Sequence, residues 1–294
     1  MTHSFVHSPP VALTIAGSDP SGGAGIQADL KTFHALGVYG TACITALTSQ
    51  NTQGVRGVHS IPGAFLTDQV EAVIDDLPVA ATKIGMLGTA DVIEALAQLI
   101  ESRRAEFGTL VLDPVMVATS GDALLDPEAE HLLRNRLVPL ADLITPNLPE
   151  AARLLGPEVA SAQTLDEARS QAAALLELDP RAVLLTGGHL EGPDPSAGEP
   201  QVEDIYASGE GDVVLGEVRV RTRNTHGTGC TLSSAIAAHA ARAGGAEDDA
   251  AMRHAVRAAK RYLTAALEGS ADWRLSRTPD TGHGPANHLA TTLR

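Results

Sequence analysis

Short runs of β-favouring apolar residues alternate along the chain with longer stretches whose apolar positions recur at helical spacing, the signature of βαβ units around a mainly parallel sheet. Val11–Ala16 reads as a buried strand, followed by a glycine-rich turn and a helix over 25–36 that Gly37 ends. The pattern then predicts a strand over 41–48, a helix over 65–77, a strand over 82–85 and a helix over 90–104. A strand over 109–113, a helix over 127–136 and a strand over 142–145 that runs into Pro146 come next. Pro149 suits the first turn of a following helix, where its missing N–H costs nothing. Residues 164–178 place Leu165, Ala168, Ala172, Leu175 and Leu176 on one helical face, and 182–186 follow as a strand. The stretch 187–216 is rich in Gly, Pro, Asp and Glu, which predicts an exposed loop plus antiparallel strands around 202–207 and 213–220. Helices are expected over 228–242 and 248–267, and residues 269–294 read as irregular.

No internal repeat and no dividing linker interrupts this order, so the expectation is one α/β domain over 11–268, with 1–10 a flexible tail and 269–294 an irregular extension. Of the 294 residues 44% are hydrophobic and 19% charged, which excludes disorder for the bulk of the chain. With 21 basic against 36 acidic residues the net charge is −15, a field that repels nucleic acid and anionic membranes. An anionic ligand would therefore need a local device: backbone amides, a helix N-terminus or a metal. Four Phe, three Tyr and one Trp are too few for base-stacking platforms. Cys43 and Cys230 make neither a disulfide framework nor a zinc site. Met1 to Pro10 lacks the features of a signal peptide and no apolar run reaches about 18 residues, so a cytoplasmic protein is expected.

Three places carry candidate chemistry. Gly17 to Gly25 lies between a strand and a helix, where glycine lets backbone approach a ligand, but it matches neither a dinucleotide fingerprint nor a P-loop. Gln50, Asn51 and Thr52 form a polar cluster in which a side-chain amide can pair with a ring nitrogen and an amine. Asp113, Asn147 and Glu150 follow neighbouring strands at the carboxyl edge of the sheet, and their oxygens suit Mg²⁺. The sharpest signal is Asn224-Thr225-His226-Gly227-Thr228-Gly229-Cys230-Thr231, a strand exit running into a helix of small residues. The amides of Gly227, Thr228, Gly229 and Cys230 there would form an anion cradle without a lysine. Cys230 at that helix end is expected to have a lowered thiol pKa and to serve as a general base. Each feature taken singly also has a structural reading: a tight turn, an Asx turn, a helix cap or a buried small residue. Asp29 and Lys31 read as solvated charges, Cys43 as core, and His226 as a cap or loop contact.

Six segments in order, Ala12 to Lys31, Lys83-Ile-Gly-Met-Leu87, Val111-Leu-Asp-Pro-Val-Met116, Ile144-Thr-Pro-Asn-Leu-Pro-Glu150, Gly187-Gly-His189 and His226-Gly-Thr-Gly-Cys230, together resemble the bacterial hydroxymethylpyrimidine/phosphomethylpyrimidine kinases of thiamine biosynthesis. The resemblance implies a ribokinase-like fold and an enzyme that uses ATP and Mg²⁺ to phosphorylate 4-amino-5-hydroxymethyl-2-methylpyrimidine and then its monophosphate. It places the pyrimidine against Gly17, Ala24, Asp29, Gln50, Met86, Val115 and Cys230, with Gln50 reading the aminopyrimidine edge. Asp113 and Glu150 would organise Mg²⁺, and Asn147, Thr186, Asn224 and Thr225 would lie along the nucleotide. Cys230 inherits the role of base, beside the cradle of Gly227, Thr228 and Gly229, and a homodimer is expected. Thr186 and Thr119 stand where family members often carry lysine, which bears on rate and nucleotide affinity. The alternatives are a pyridoxal or pyridoxine kinase of the same superfold and a catalytically idle pyrimidine-binding protein.

Overall fold

The computed structural model describes residues 8–117, 125–188, 201–278 and 280–290. In chain order the elements are β1 (Val11–Ala16), α1 (Gly25–Ala35), β2 (Tyr39–Ile44), β3 (Ala46–Asn51), β4 (Gly54–Ser60), α2 (Gly63–Ile74), β5 (Val79–Ile84) and α3 (Ala90–Arg103). They continue with β6 (Thr109–Leu112), α4 (Pro127–Leu132), β7 (Leu143–Ile144), α5 (Leu148–Leu155), α6 (Leu165–Leu176) and β8 (Ala182–Leu185). The order ends with β9 (Gln201–Ser208), β10 (Gly211–Val218), α7 (Thr228–Arg242) and α8 (Asp249–Glu268).

Among the described residues, eight strands form one sheet in the order β10-β9-β8-β7-β6-β5-β1-β2, parallel from β2 to β8. β9 and β10 close one edge in antiparallel sense, as their turn-rich surroundings predict. β1 is buried along its whole length, as a strand covered on both faces must be. Its alternation sends Val11, Leu13 and Ile15 into a core shared with α2 to α6, and Ala12 into a second core shared with α1, α7 and α8. Thr14 faces the same way as Ala12, toward α1. Local chemistry sets several helix starts. Thr89 and Asp248 cap α3 and α8, and Thr164 with Glu167 forms a reciprocal capping box on α6.

Two expectations change. The strand expected over 41–48 breaks at Thr45, whose amide reaches Ala16 O and whose hydroxyl reaches Met86 O. Beyond it β3 and β4 pair only with each other, as a separate two-stranded sheet. The polar run Thr48-Ser49-Gln50-Asn51 explains this, because such residues suit a hairpin wetted on one face and not a doubly covered strand. The helix expected over 127–136 keeps α-geometry only to Leu132 and then widens into a π turn over Leu133–Leu137 ahead of Pro139. Every parallel strand delivers its carboxyl end to one edge, the side on which open α/β sheets bind ligands. None of the helices among the described residues is long and apolar enough to cross a membrane.

Candidate active site at the carboxyl edge of the sheet

The loop after β1 is organised by Asp19. Its carboxylate accepts the amides of Ser21 (2.8 Å), Gly23 (3.2 Å) and Ala24 (2.9 Å), the Ser21 hydroxyl (2.9 Å) and His226 Nε2 (2.8 Å). Burial alone would raise the Asp19 pKa, but the hydrogen bonds from His226 and Ser21 and the histidine's charge outweigh it and hold the carboxyl at about 2. A depressed carboxyl adds stability above its unfolded pKa of 3.8 that is lost as pH falls through about 2, a contribution of about 2 kcal/mol. Asp19→Asn is therefore expected to lose about that much at pH 7, with its deficit against the parent chain shrinking between pH 4 and 2 in urea melts.

The same contact ties this loop to the one before α7. Gly227, the N-cap of α7, has φ +77°, a conformation that glycine accepts without strain. A Cβ on Gly227 would lie 1.8 Å from Gly23 O, so the two loops touch back to back. The Thr228 amide is used within the turn, reaching Thr225 O at 3.3 Å. The amides of Gly227, Gly229 and Cys230 find no acceptor among the described residues. Three donors without a protein acceptor, at the positive end of a 15-residue helix, are the kind of group an anion can take.

Behind that turn sits a group of buried charges. Ser233 donates to Asp113 Oδ2 at 3.1 Å, and Ser234 donates to Asp29 Oδ1 at 2.6 Å. Asp29 also accepts Thr14 Oγ1 at 2.6 Å and pairs with Lys83 Nζ at 3.1 Å. Glu150 is buried near Asp113, with Oε2 accepting the Asn147 amide at 2.9 Å. Burial and the repulsion of Asp113 push the Glu150 carboxyl up to about 8, and burial raises Asp113 as well. Two buried, mutually repelling carboxylates are an oxygen donor set of the kind a hard divalent cation takes. Thr145 Oγ1, at the same sheet edge, is buried without a partner among the described residues.

A phosphomethylpyrimidine kinase family profile matches residues 19–287. The hydroxymethylpyrimidine/phosphomethylpyrimidine kinase of Salmonella typhimurium is 47% identical over 95% of this chain and 97% of its own. The chain belongs to the phosphomethylpyrimidine kinase family. It also aligns at 46% identity with 52% of the Geobacter sulfurreducens thiamine biosynthesis bifunctional protein ThiED, so it spans about half of that longer relative. Among solved structures, a phosphomethylpyrimidine kinase from Clostridium difficile superposes with TM-score 0.72 at 39% identity, covering 88% of this chain and 99% of that one. The ADP complex of Bacillus subtilis pyridoxal kinase superposes with TM-score 0.82 at 36% identity, covering 98% and 100%. The ribokinase-like architecture expected from the resemblance is thus the architecture found.

The edge of the sheet gathers most of the residues singled out from the sequence. Met86 packs on Gly17, where a Cβ would meet its Cε at 2.4 Å, and its carbonyl accepts the Gly17 amide. Ala24 caps α1, Val115 follows Asp113, and Gln50 sits on β3 with Oε1 accepting Thr48 Oγ1 at 3.2 Å. Thr186 bridges to Asn147, and Thr225 is exposed beside the cradle.

Several expectations need correction. Asp29 is fully buried, neither a solvated charge nor a side chain open to a pyrimidine, because both its oxygens are occupied by Thr14, Lys83 and Ser234. The Asn224 amide faces inward to Ser270 O (2.5 Å) and Trp273 O (3.1 Å), so it anchors the C-terminal segment and not a nucleotide. Asn147 accepts the Glu150 amide in a capping box, so its side-chain oxygen is committed to α5. The Thr228 amide leaves the expected cradle, as noted. Cys230, half-buried, has its thiol pushed up to about 12 and not lowered. Burial is the largest cause, and the charges of Asp29 and Asp113 add to it against Lys83 and the Gly25 amide. Thr119, His189 and residues 1–7 and 291–294 lie outside the described residues.

The sequence gives no individual role to Asp19, Lys83 or Ser234. An Asx turn is legible in Asp-Pro-Ser-Gly for Asp19, Lys83 enters only as the start of a segment that carries the resemblance, and nothing local points to Ser234. The C-terminal stretch is also more than an irregular extension. Gly284 O accepts the His226 amide, the His283 amide reaches Thr52 O, and Gln53 reaches Thr278, so it joins the hairpin to the anion loop.

Proposed function

We propose that this chain phosphorylates 4-amino-5-hydroxymethyl-2-methylpyrimidine with ATP and then phosphorylates the monophosphate. The observation that carries this reading is the trio of acceptor-free amides at Gly227, Gly229 and Cys230, set beside a thiol at the carboxyl edge of the sheet in a chain that matches a kinase family. These amides would hold the terminal phosphate, and donors fixed before the reaction stabilise charge that develops in transfer at little reorganisation cost. Cys230 Sγ would lie beside the attacking hydroxyl and take its proton. The pyrimidine would lie between Gly17, Met86 and Val115, with Gln50 on its aminopyrimidine edge. Asp113 and Glu150 would hold Mg²⁺. Bound there, the ion would neutralise phosphate charge and the repulsion that Asp113 exerts on a Cys230 thiolate.

ADP release measured with the free pyrimidine, followed by mass analysis, is expected to show both mono- and diphosphate. Calorimetric binding of the pyrimidine without any ADP release would instead favour the idle binding protein that Thr186 in place of lysine suggests. The likeness to a pyridoxal kinase at TM-score 0.82 makes pyridoxal the second substrate to test, and turnover of the pyrimidine is expected to exceed it. Gln50→Ala is expected to raise the Michaelis constant for the pyrimidine about tenfold with little change in kcat, the loss of one ring-reading hydrogen bond. An unchanged constant removes Gln50 from that role.

A further inference from the structure

The buried pair of Lys83 and Asp29 has no part in the phosphate and pyrimidine contacts described above. It is also expensive to keep. Placing an ion pair in a core is often no more stable than placing apolar side chains there, whereas removing one partner is strongly destabilising. The core between the sheet and α1, α7 and α8 is otherwise apolar, with Ala12, Ala81, Ala235, Ala237 and Ala238 among its members, so an apolar filling was open to this fold.

Its position gives it a use. Lys83 lies at the carboxyl end of β5, and its ammonium is 2.7 Å from a Cβ placed on Gly85, directly before Met86. Asp29 comes from α1. On α7, Ser234 stands one turn beyond Cys230 and donates to Asp29, while Ser233 stands one turn beyond Gly229 and donates to Asp113. Two adjacent serines thus dock the first turn of α7, cradle and thiol included, onto two carboxylates. The charged groups whose fields reach Cys230 are Lys83 from β5, Asp29 from α1 and Asp113 after β6. Lys83 is the one cation in that set. It is fully buried and held by two carboxylate contacts and by no other acceptor among the described residues.

We propose that Lys83 is a positioning residue for the transfer reaction: its ammonium sets the reactivity of the Cys230 sulfur, and Asp29, clamped by Thr14 and Ser234, limits how much of that charge the sulfur feels. This rests on Cys230 lying beside the acceptor alcohol. Neither Lys83 nor Asp29 touches substrate.

The test reads Cys230 without substrates. Iodoacetamide labelling at pH 8.5, followed by mass spectrometry of the Cys230 peptide to separate it from buried Cys43, gives a rate for the parent chain and its variants. Lys83→Met is expected to slow labelling at least tenfold, and Asp29→Asn to quicken it several-fold, although both break the same pair and both lower the melting temperature. If Lys83→Met does not fold, Asp29→Asn/Lys83→Met is compared with Asp29→Asn alone, and the double variant is expected to label at least tenfold more slowly. In the folded Lys83 variant kcat should fall at least tenfold while the pyrimidine KM stays within about threefold. Labelling rates that shift in the same direction for both single variants, or that do not differ between the double variant and Asp29→Asn, overturn the proposal. Labelling is independent of the ADP-release assay, so a failure of this assignment is distinguishable from a failure of the kinase reading.

Discussion

Gly227→Ala is expected to lower phosphorylation of the pyrimidine by about 10³-fold. Two costs combine at that position. A non-glycine residue at φ +77° is strained by about 1 kcal/mol, and its Cβ would sit 1.8 Å from Gly23 O. The backbone carbonyl cannot give way without moving the loop that Asp19 holds, so the turn itself must shift. Removing one donor from a preorganised anion site costs about 10²–10³ in rate, and this shift displaces Gly229 and Cys230 together. Gly229→Ala is the control. Its Cβ meets nothing nearer than Asp113 Oδ2 at 3.7 Å, so the fold and melting temperature should be kept. Steady-state ADP release and thermal melts on both variants check the pair, and normal turnover by Gly227→Ala removes the cradle from the mechanism.

Cys230→Ala is expected to lower kcat by about 10²-fold or more and to leave the pyrimidine KM within about threefold, the pattern of a lost proton acceptor and not of a lost binding contact. The thiol pKa of about 12 works against the free sulfur as a base. In the free protein the sulfur is protonated at neutral pH, so its usefulness depends on the charges arranged around it. A variant that retains full turnover shows that the alcohol loses its proton to another group.

Much of the fold was legible because it is written locally. Residues 228–242 read as a helix and are one, since a glycine turn precedes the run and most of its buried residues are small. The six residues of β1 read as a buried strand for the same reason. The β3–β4 hairpin was missed because Gly54–Ser60 holds glycine, arginine and histidine and no sustained alternation, and only its partner strand makes it a strand. The site divides similarly. A glycine loop, a carboxylate at a strand end and a helix start can be seen in single segments. The burial of Asp29 cannot, since Lys83 lies 54 residues away and Ser234 205. The thiol of Cys230 differs from expectation on the same ground. A helix end favours the thiolate, but burial, with two carboxylates delivered by other elements adding to it, outweighs that preference. The resemblance sets Asn224 along the nucleotide, and its partners at Ser270 and Trp273 are invisible until the chain folds back.

The separateness of the β3–β4 hairpin sets Gln50 on a ladder of its own, apart from the eight-stranded sheet. The turn before α7 is backed by the central sheet through α7, whereas the strands carrying Gln50 hydrogen-bond in register only to each other and meet the remainder through Ala46, Thr48, Gln53 and Thr52. On the proposed reading, in which Gln50 meets the ring and the turn before α7 meets the phosphate, ordering on ligand capture is expected to fall more on the hairpin than on that turn. Changes in the hairpin would then alter the choice among heteroaromatic alcohols without touching the residues proposed for transfer.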